Sequence, residues 1–331
     1  MLLDPFQPKM EQYIDGYKQL KKELKWRVSD RNLMMVSSIY VVHNKRLNIS
    51  HFIKLSDYIK NQVNMLSTLK SYQRFTIAAL LDVHFDNAEE KFHEFINLYD
   101  ELIQRGFSRG AFTYLAAMVL LTNDPDKSDH KVSIERALSI YKVMKAQHYF
   151  LTSTTDYPLA VLLARVDANF EKLLELTKLY YDRLSKNGFS KGNELQFLSH
   201  ILSLQHGIDP NILITRSVTI FETLKRRRKR LKPIHYPEIG LLTFFDDGVN
   251  EIEIVLQLEK DLNKEKVFKW YKDMNFMMVV NFLMTDKMEE SMVLETGIFT
   301  TFEALIQAQQ AAMVAAISNI TVTSNSTNTN S

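Results

Sequence analysis

Asn193, Gln196, His200 and Ser203 lie three, four and three residues apart, so on an α-helix they share one face. Amides and a neutral imidazole offer donors and acceptors together, which suits a peptide backbone or a small polar ligand. Leu195, Leu198 and Leu202 occupy another face and can supply the packing, leaving the polar stripe for ligand binding. The alternatives are a solvated face or a buried polar network between helices. A second stretch, Lys225, Arg226, Arg227, Arg228, Lys229, Arg230 and Lys232, places seven cations within eight positions. Such a run can bind an anion, nucleic acid or a phospholipid surface. It contains no interleaved aromatic for base stacking, and cations at a helix C-terminus are also favoured by the macrodipole.

Other groups carry less chemistry. His84, Asp86, Glu89 and His93 form the nearest approach to a metal cluster, but an acid- and imidazole-rich helix start explains them without a metal. His200, His206 and Asp209 could build an all-α enzyme site, the main alternative to a binding function. Asp156-Tyr157-Pro158 and His235-Tyr236-Pro237-Glu238 read as helix starts, with Pro in the first turn, rather than as acid-base pairs. The sequence contains no His-Glu-x-x-His, Gly-x-Ser-x-Gly, Walker or EF-hand motif, so no catalytic residue, metal or cofactor is expected.

The elements that must carry these residues come from a duplication. Gly106-Phe107-Ser108-Arg109-Gly110 returns as Gly188-Phe189-Ser190-Lys191-Gly192, 82 positions on, within a longer matching stretch. A helix segment centred on Tyr or Phe recurs at Tyr99, Tyr141, Tyr181 and Phe221, so each unit of about 80 residues splits into two helical hairpins of about 40. In the pentapeptide, Gly106 at C′ places Phe107 against Leu102 as in a Schellman cap. Gly188, Phe189 and Leu184 repeat that arrangement. Ser108 and Ser190 then stand as N-cap candidates for the following helices. A phosphate-binding glycine loop is the weaker alternative, because no strand precedes it and no Gly-Lys-Ser/Thr follows.

Composition agrees with a helical array. Nine Gly and seven Pro in 331 residues leave few turn positions, and 46% apolar residues exclude a disordered chain. A net charge of +2 gives no global attraction to nucleic acid, and the absence of Cys removes disulfides and thiolate chemistry. No apolar run approaches a membrane span and the first residues lack a signal-peptide pattern, so a cytoplasmic location is expected.

The expected fold is all-α, stacked helical hairpins of the tetratricopeptide or HEAT α-solenoid kind. Residues 1–70 would cap the array, 71–247 form the duplicated hairpins, 248–319 add C-terminal helices and 320–331 form a disordered tail. Helices are expected near Thr76–Leu81, Tyr114–Leu121, Pro158–Ala164, Phe197–Leu204 and Glu238–Phe244 within the array, and near Phe299–Ile317 beyond it. Arg136-Ala137-Leu138, the Asp156-Tyr157-Pro158-Leu159-Ala160 run, Gly188 to Asn193 and Leu198-Ser199-His200-Ile201-Leu202 resemble the bacterial family catalogued as domain of unknown function 4003. The resemblance covers nearly the whole chain. It implies a bacterial, cytosolic protein and transfers no catalytic residue. The function expected is a module that binds an unidentified protein or peptide, with an enzyme at His200 or an anionic-surface adaptor at Lys225 to Lys232 as alternatives.

Overall fold

A computed structural model of the chain describes residues 6–123, 130–147, 152–165, 170–205, 207–228 and 230–290. These form fourteen α-helices and, among the described residues, no strand. They are α1 (Gln7–Leu24), α2 (Asp30–Val42), α3 (Ile49–Gln62), α4 (Gln73–His84), α5 (Ala88–Gln104), α6 (Ala111–Asn123) and α7 (Lys131–Gln147). They continue as α8 (Tyr157–Arg165), α9 (Phe170–Lys186), α10 (Asn193–Ser203), α11 (Pro210–Arg227), α12 (Tyr236–Thr243), α13 (Glu251–Leu262) and α14 (Lys272–Glu290). The five array segments expected from the sequence fall on α4, α6, α8, α10 and α12. The helix expected at Phe299–Ile317 and the tail 320–331 lie outside the described residues.

Contacts divide the described residues into an amino-terminal unit, residues 9–123, 130–143 and 153–164, and a carboxy-terminal unit, residues 6–8, 144–147, 152, 165, 170–205, 207–228 and 230–290. The division falls within the 71–247 stretch.

In the amino-terminal unit α4 packs between α2 and α6, while α3 and α5 lie against them as a second layer. Composition explains the layering. All residues of α2 from Asn32 to Val42 are buried, and α6 carries no charged residue, so these helices are covered all round. In contrast, α5 buries Ala88, Phe92, Phe95, Leu98, Tyr99 and Leu102, a stripe at helical spacing, and turns its charged face to water.

The carboxy-terminal unit is also layered. Here α12 packs between α10 and α14, and α9, α11 and α13 supply the outer layer. Every residue of α12 is buried, whereas α11 buries only one stripe, including Leu213, Ile220 and Leu224. Each such fully buried Leu or Ile contributes about 1.5 to 3 kcal/mol relative to exposure.

The turns joining the layers are alike in the two units. Gly106 has φ 111° and Gly188 φ 93°, left-handed values that a side chain would strain. Phe107 N–H donates to the Leu102 carbonyl at 3.1 Å and Gly106 N–H to Ile103 at 3.0 Å, the bond pattern of a Schellman motif. Phe189 N–H donates to Leu184 at 3.2 Å in the second copy. Ser108 and Ser190 are not N-caps, because α6 and α10 begin three residues later at Ala111 and Asn193. Gly110 and Gly192 precede these helices, and their carbonyls accept the N–H groups of Tyr114 and Gln196. The N–H groups of Ser108 and Ser190 instead donate to tyrosine hydroxyls, Tyr157 at 3.2 Å and Tyr236 at 2.9 Å.

Candidate functional site

The first turns of α2, α4 and α6 meet at one end of the amino-terminal unit and enclose a pocket. Asn32 comes from α2, Gln73, Thr76 and Ile77 from α4, and Ala111, Tyr114 and Leu115 from α6; Leu69 and Tyr72 close it from the connection before α4. It is a shallow recess: the roughly 320 Å³ its walls outline is mostly open to solvent, and the enclosed part has room for about one water. The walls are mainly apolar and aromatic, and two features make them more than a gap in the core.

Tyr114 stacks on Tyr99 with ring centroids 3.9 Å apart and an interplanar angle of 11°, giving the pocket a fixed aromatic wall. The Tyr114 hydroxyl bonds Ser67 Oγ at 3.1 Å, and burial pushes its pKa up to about 12, so it stays protonated. Gln73 supplies the second feature. Its Oε1 is enclosed yet has no hydrogen-bond partner, an acceptor left open on a pocket wall. A ligand N–H placed there would satisfy it.

The side chains singled out from the sequence are arranged differently. Asn193 is exposed, whereas Gln196, His200 and Ser203 are buried at 1%, 3% and 0% exposure, so the four do not form one open face. Gln196 Nε2 donates to Thr152 Oγ1 at 2.9 Å, and Thr152 donates in turn to the Met144 carbonyl. His200 Nδ1 lies 3.4 Å from Thr177 Oγ1, and Ser203 Oγ donates to the His200 carbonyl at 2.8 Å. This is the buried network weighed above. Of the residues considered for an enzyme with His200, Asp209 caps α11 by accepting from Asn211 N–H at 2.8 Å, and His206 lies outside the described residues.

The basic run is largely consumed inside the carboxy-terminal unit. Lys225 pairs with Glu222 at 3.6 Å, Arg227 with Glu253, and Lys232 with Asp273 at 2.5 Å. Arg228 is the most enclosed, with a side chain 8% exposed. Its Nη2 and Nε grip Glu259 at 2.9 and 3.2 Å, and the guanidinium lies 4.5 Å from the centroid of the Phe276 ring. Nη1 also reaches His235 Nδ1 at 2.9 Å, and His235 Nε2 faces Asp273 at 3.2 Å. Burial, reinforced by Arg228 and Lys232 against the opposing Asp273, holds the His235 pKa down to about 3. Arg226 turns back onto the Glu222 carbonyl, Arg230 is exposed, and Lys229 lies outside the described residues.

The remaining candidates are occupied locally. His84 packs edge-on against His43 at 4.5 Å, and His93 bonds the Tyr58 hydroxyl at 2.9 Å; no metal-holding group of three His, Cys, Asp or Glu occurs among the described residues. Asp156 accepts from Ser153 N–H at 2.9 Å in a capping box ahead of α8, and burial raises its pKa to about 6. Sequence reading missed the pocket, because its walls come from three separated segments whose residues individually resemble core. It also missed the tyrosine hydroxyls that hold the glycine turns.

Among the described residues no helix is long and apolar enough to cross a membrane. Residues 16–311 match the family described as Protein of unknown function (DUF4003), and the chain belongs to that family. It is 40% identical over 326 residues to the uncharacterized protein YeaA of Bacillus subtilis (strain 168), covering 98% of each chain. No solved structure matches it.

Proposed function

We propose that this member of the DUF4003 family is a helical-repeat interaction module that binds an extended protein or peptide segment at the α2–α4–α6 pocket. The observation that carries the reading is the unpartnered Gln73 Oε1 on an aromatic and apolar wall. A peptide supplies the two things this wall lacks, a backbone N–H for the acceptor and an apolar side chain to cover the recess. The repeat reading is supported by the like surroundings of the two glycine turns. Phe107 meets Tyr157 edge-on at 4.7 Å and Phe189 meets Tyr236 at 4.9 Å, while Tyr141 and Phe221 complete the two clusters. Stacked hairpins of this kind offer long surfaces for chain segments. The burial of Gln196, His200 and Ser203 supports placing recognition at the pocket rather than at their stripe.

Filling the pocket tests the reading. Ala111→Trp is expected to reduce binding to an array of short random peptides by roughly tenfold or more while leaving helical circular dichroism unchanged, because the new ring occupies the ligand volume. Gln73→Leu removes the open acceptor and should weaken binding by about 0.5 to 1.5 kcal/mol. Unchanged peptide binding by Ala111→Trp would remove the pocket from consideration.

A further inference from the structure

The recess at the first turns of α2, α4 and α6 holds several hydrogen-bonding groups, and none of its nine lining residues is an acid or a base. Gln73 Oε1 is enclosed without a partner. Asn32 is 7% exposed, and its Nδ2 is spent on Ser29 Oγ, the N-cap of α2, at 2.9 Å, so Oδ1 is the end of that amide without a bond. Thr76, 6% exposed, likewise makes no side-chain hydrogen bond among the described residues. Two amide oxygens and one hydroxyl are thus left for a ligand, with no charged side chain beside them in the wall.

The walls are held in place. Arg74 Nη1 donates to the Lys70 and Ser71 carbonyls at 3.1 and 2.8 Å, pinning the connection that brings Leu69 and Tyr72, and Leu69 N–H donates to Ser67 Oγ at 3.2 Å. Size and charge then select the ligand. The enclosed part takes a group about as large as one water. An ammonium or a carboxylate there would be stripped of water with no opposite charge in the wall, which is strongly unfavourable. A terminal carboxamide NH2 is uncharged and of that size, and it brings two N–H groups, for Gln73 Oε1 and for Asn32 Oδ1. A backbone N–H would serve Gln73 alone, and a hydroxyl also brings a single donor.

Resting on the recess as a peptide site, we infer that the partner segment is read by an Asn or Gln side chain whose carboxamide NH2 enters the recess against Gln73 Oε1 and Asn32 Oδ1, while a neighbouring apolar residue of the partner covers the apolar wall. The Thr76 hydroxyl, three residues after Gln73 on the same face of α4, is free to turn toward the carboxamide oxygen. Gln73 and Asn32 are then the residues that set specificity.

The test uses the full chain on the same array of short random peptides. Bound peptides should be enriched in Asn or Gln at one position beside a large apolar residue, and replacing that Asn or Gln by Ala should weaken them roughly three- to tenfold. Gln73→Leu should erase the preference at that position and retain the apolar one. Gln73→Glu puts a carboxylate in the wall and should turn the preference toward Lys, a change that a merely structural role of Gln73 would not produce. With the native protein, acetamide should displace a bound peptide, whereas acetone, of like size but without an N–H, should not, so the result does not depend on either variant folding. Peptides bound with no Asn or Gln preference, acetone displacing as well as acetamide, or a preference that survives Gln73→Leu would overturn the inference while leaving the recess as a peptide site. No peptide bound by the native chain, or binding unchanged in Ala111→Trp, would bring down the pocket reading as well.

Discussion

Arg228 shows how little a cation's neighbours in the chain say about its work. It sits in the densest positive run, yet its partners Glu259 and Phe276 come from α13 and α14. Taking the guanidinium away leaves Glu259, itself 7% exposed, as a buried charge without its partner. Arg228→Met is therefore expected to lower unfolding free energy by about 3 to 5 kcal/mol, measured by urea denaturation. Adding Glu259→Gln removes the stranded charge and should restore at least half of that loss. A double variant as unstable as the single one would show that the pair is not the source. The positive run was legible as charge but not as a set of ion pairs, because Glu259 and Asp273 lie 31 and 41 residues from Arg228 and Lys232. The open stripe at Asn193 to Ser203 failed for a related reason. Helical periodicity separates faces of α10 from one another, but α10 is covered by α9 and by α12, so its polar face is enclosed as well.

The glycine turns belong to the scale of elements. Leu184, Gly188 and Phe189 sit within six residues, and the cap they form is a local matter of backbone sign and one apolar contact, so it could be read from sequence. The hydroxyl of Tyr236, which accepts from Ser190 N–H across 46 residues, could not. Both parts lend themselves to substitution. Gly188→Ala imposes a side chain at φ 93° and should destabilise the carboxy-terminal unit by about 1 to 2 kcal/mol. Tyr236→Phe keeps the ring contacts with Phe189 and removes only the acceptor, for an expected loss of about 0.5 to 1.5 kcal/mol. Urea midpoints that do not move in Tyr236→Phe would show that water replaces the hydroxyl at no cost.

At the scale of the molecule, acid acts on both units at once. Burial, with His43 and Lys45 adding to it, holds the His84 pKa near 3 in the amino-terminal unit, and His235 is held near 3 in the carboxy-terminal one. Both values are depressed below the ordinary 6.5, so the unfolded chain binds these protons first. The stabilisation is complete above pH 6.5 and is lost as pH falls from there toward 3, by up to about 1.4 kcal/mol per pH unit for each histidine. Asp156 works in the opposite sense. Its raised pKa favours the folded state below 3.8, and that contribution disappears as pH rises through about 6. Unfolding free energies between those limits should therefore fall with acid in the native protein and fall less in His84→Gln/His235→Gln. Equal slopes would exclude these two groups. All-helical architecture was readable at this scale from the scarcity of Gly and Pro and from periodicity. The pocket was not, because residues as far apart as Asn32 and Leu115 share it only after the layers have packed.

Arg27 and Arg74 have a further effect on the unbound protein. Burial, joined by Arg27, lowers the Arg74 pKa while Asp57 on α3 opposes them, so the connection leading into α4 holds two cations against mutual repulsion. An anion drawn to that pair would ease the repulsion and firm the connection in the same step.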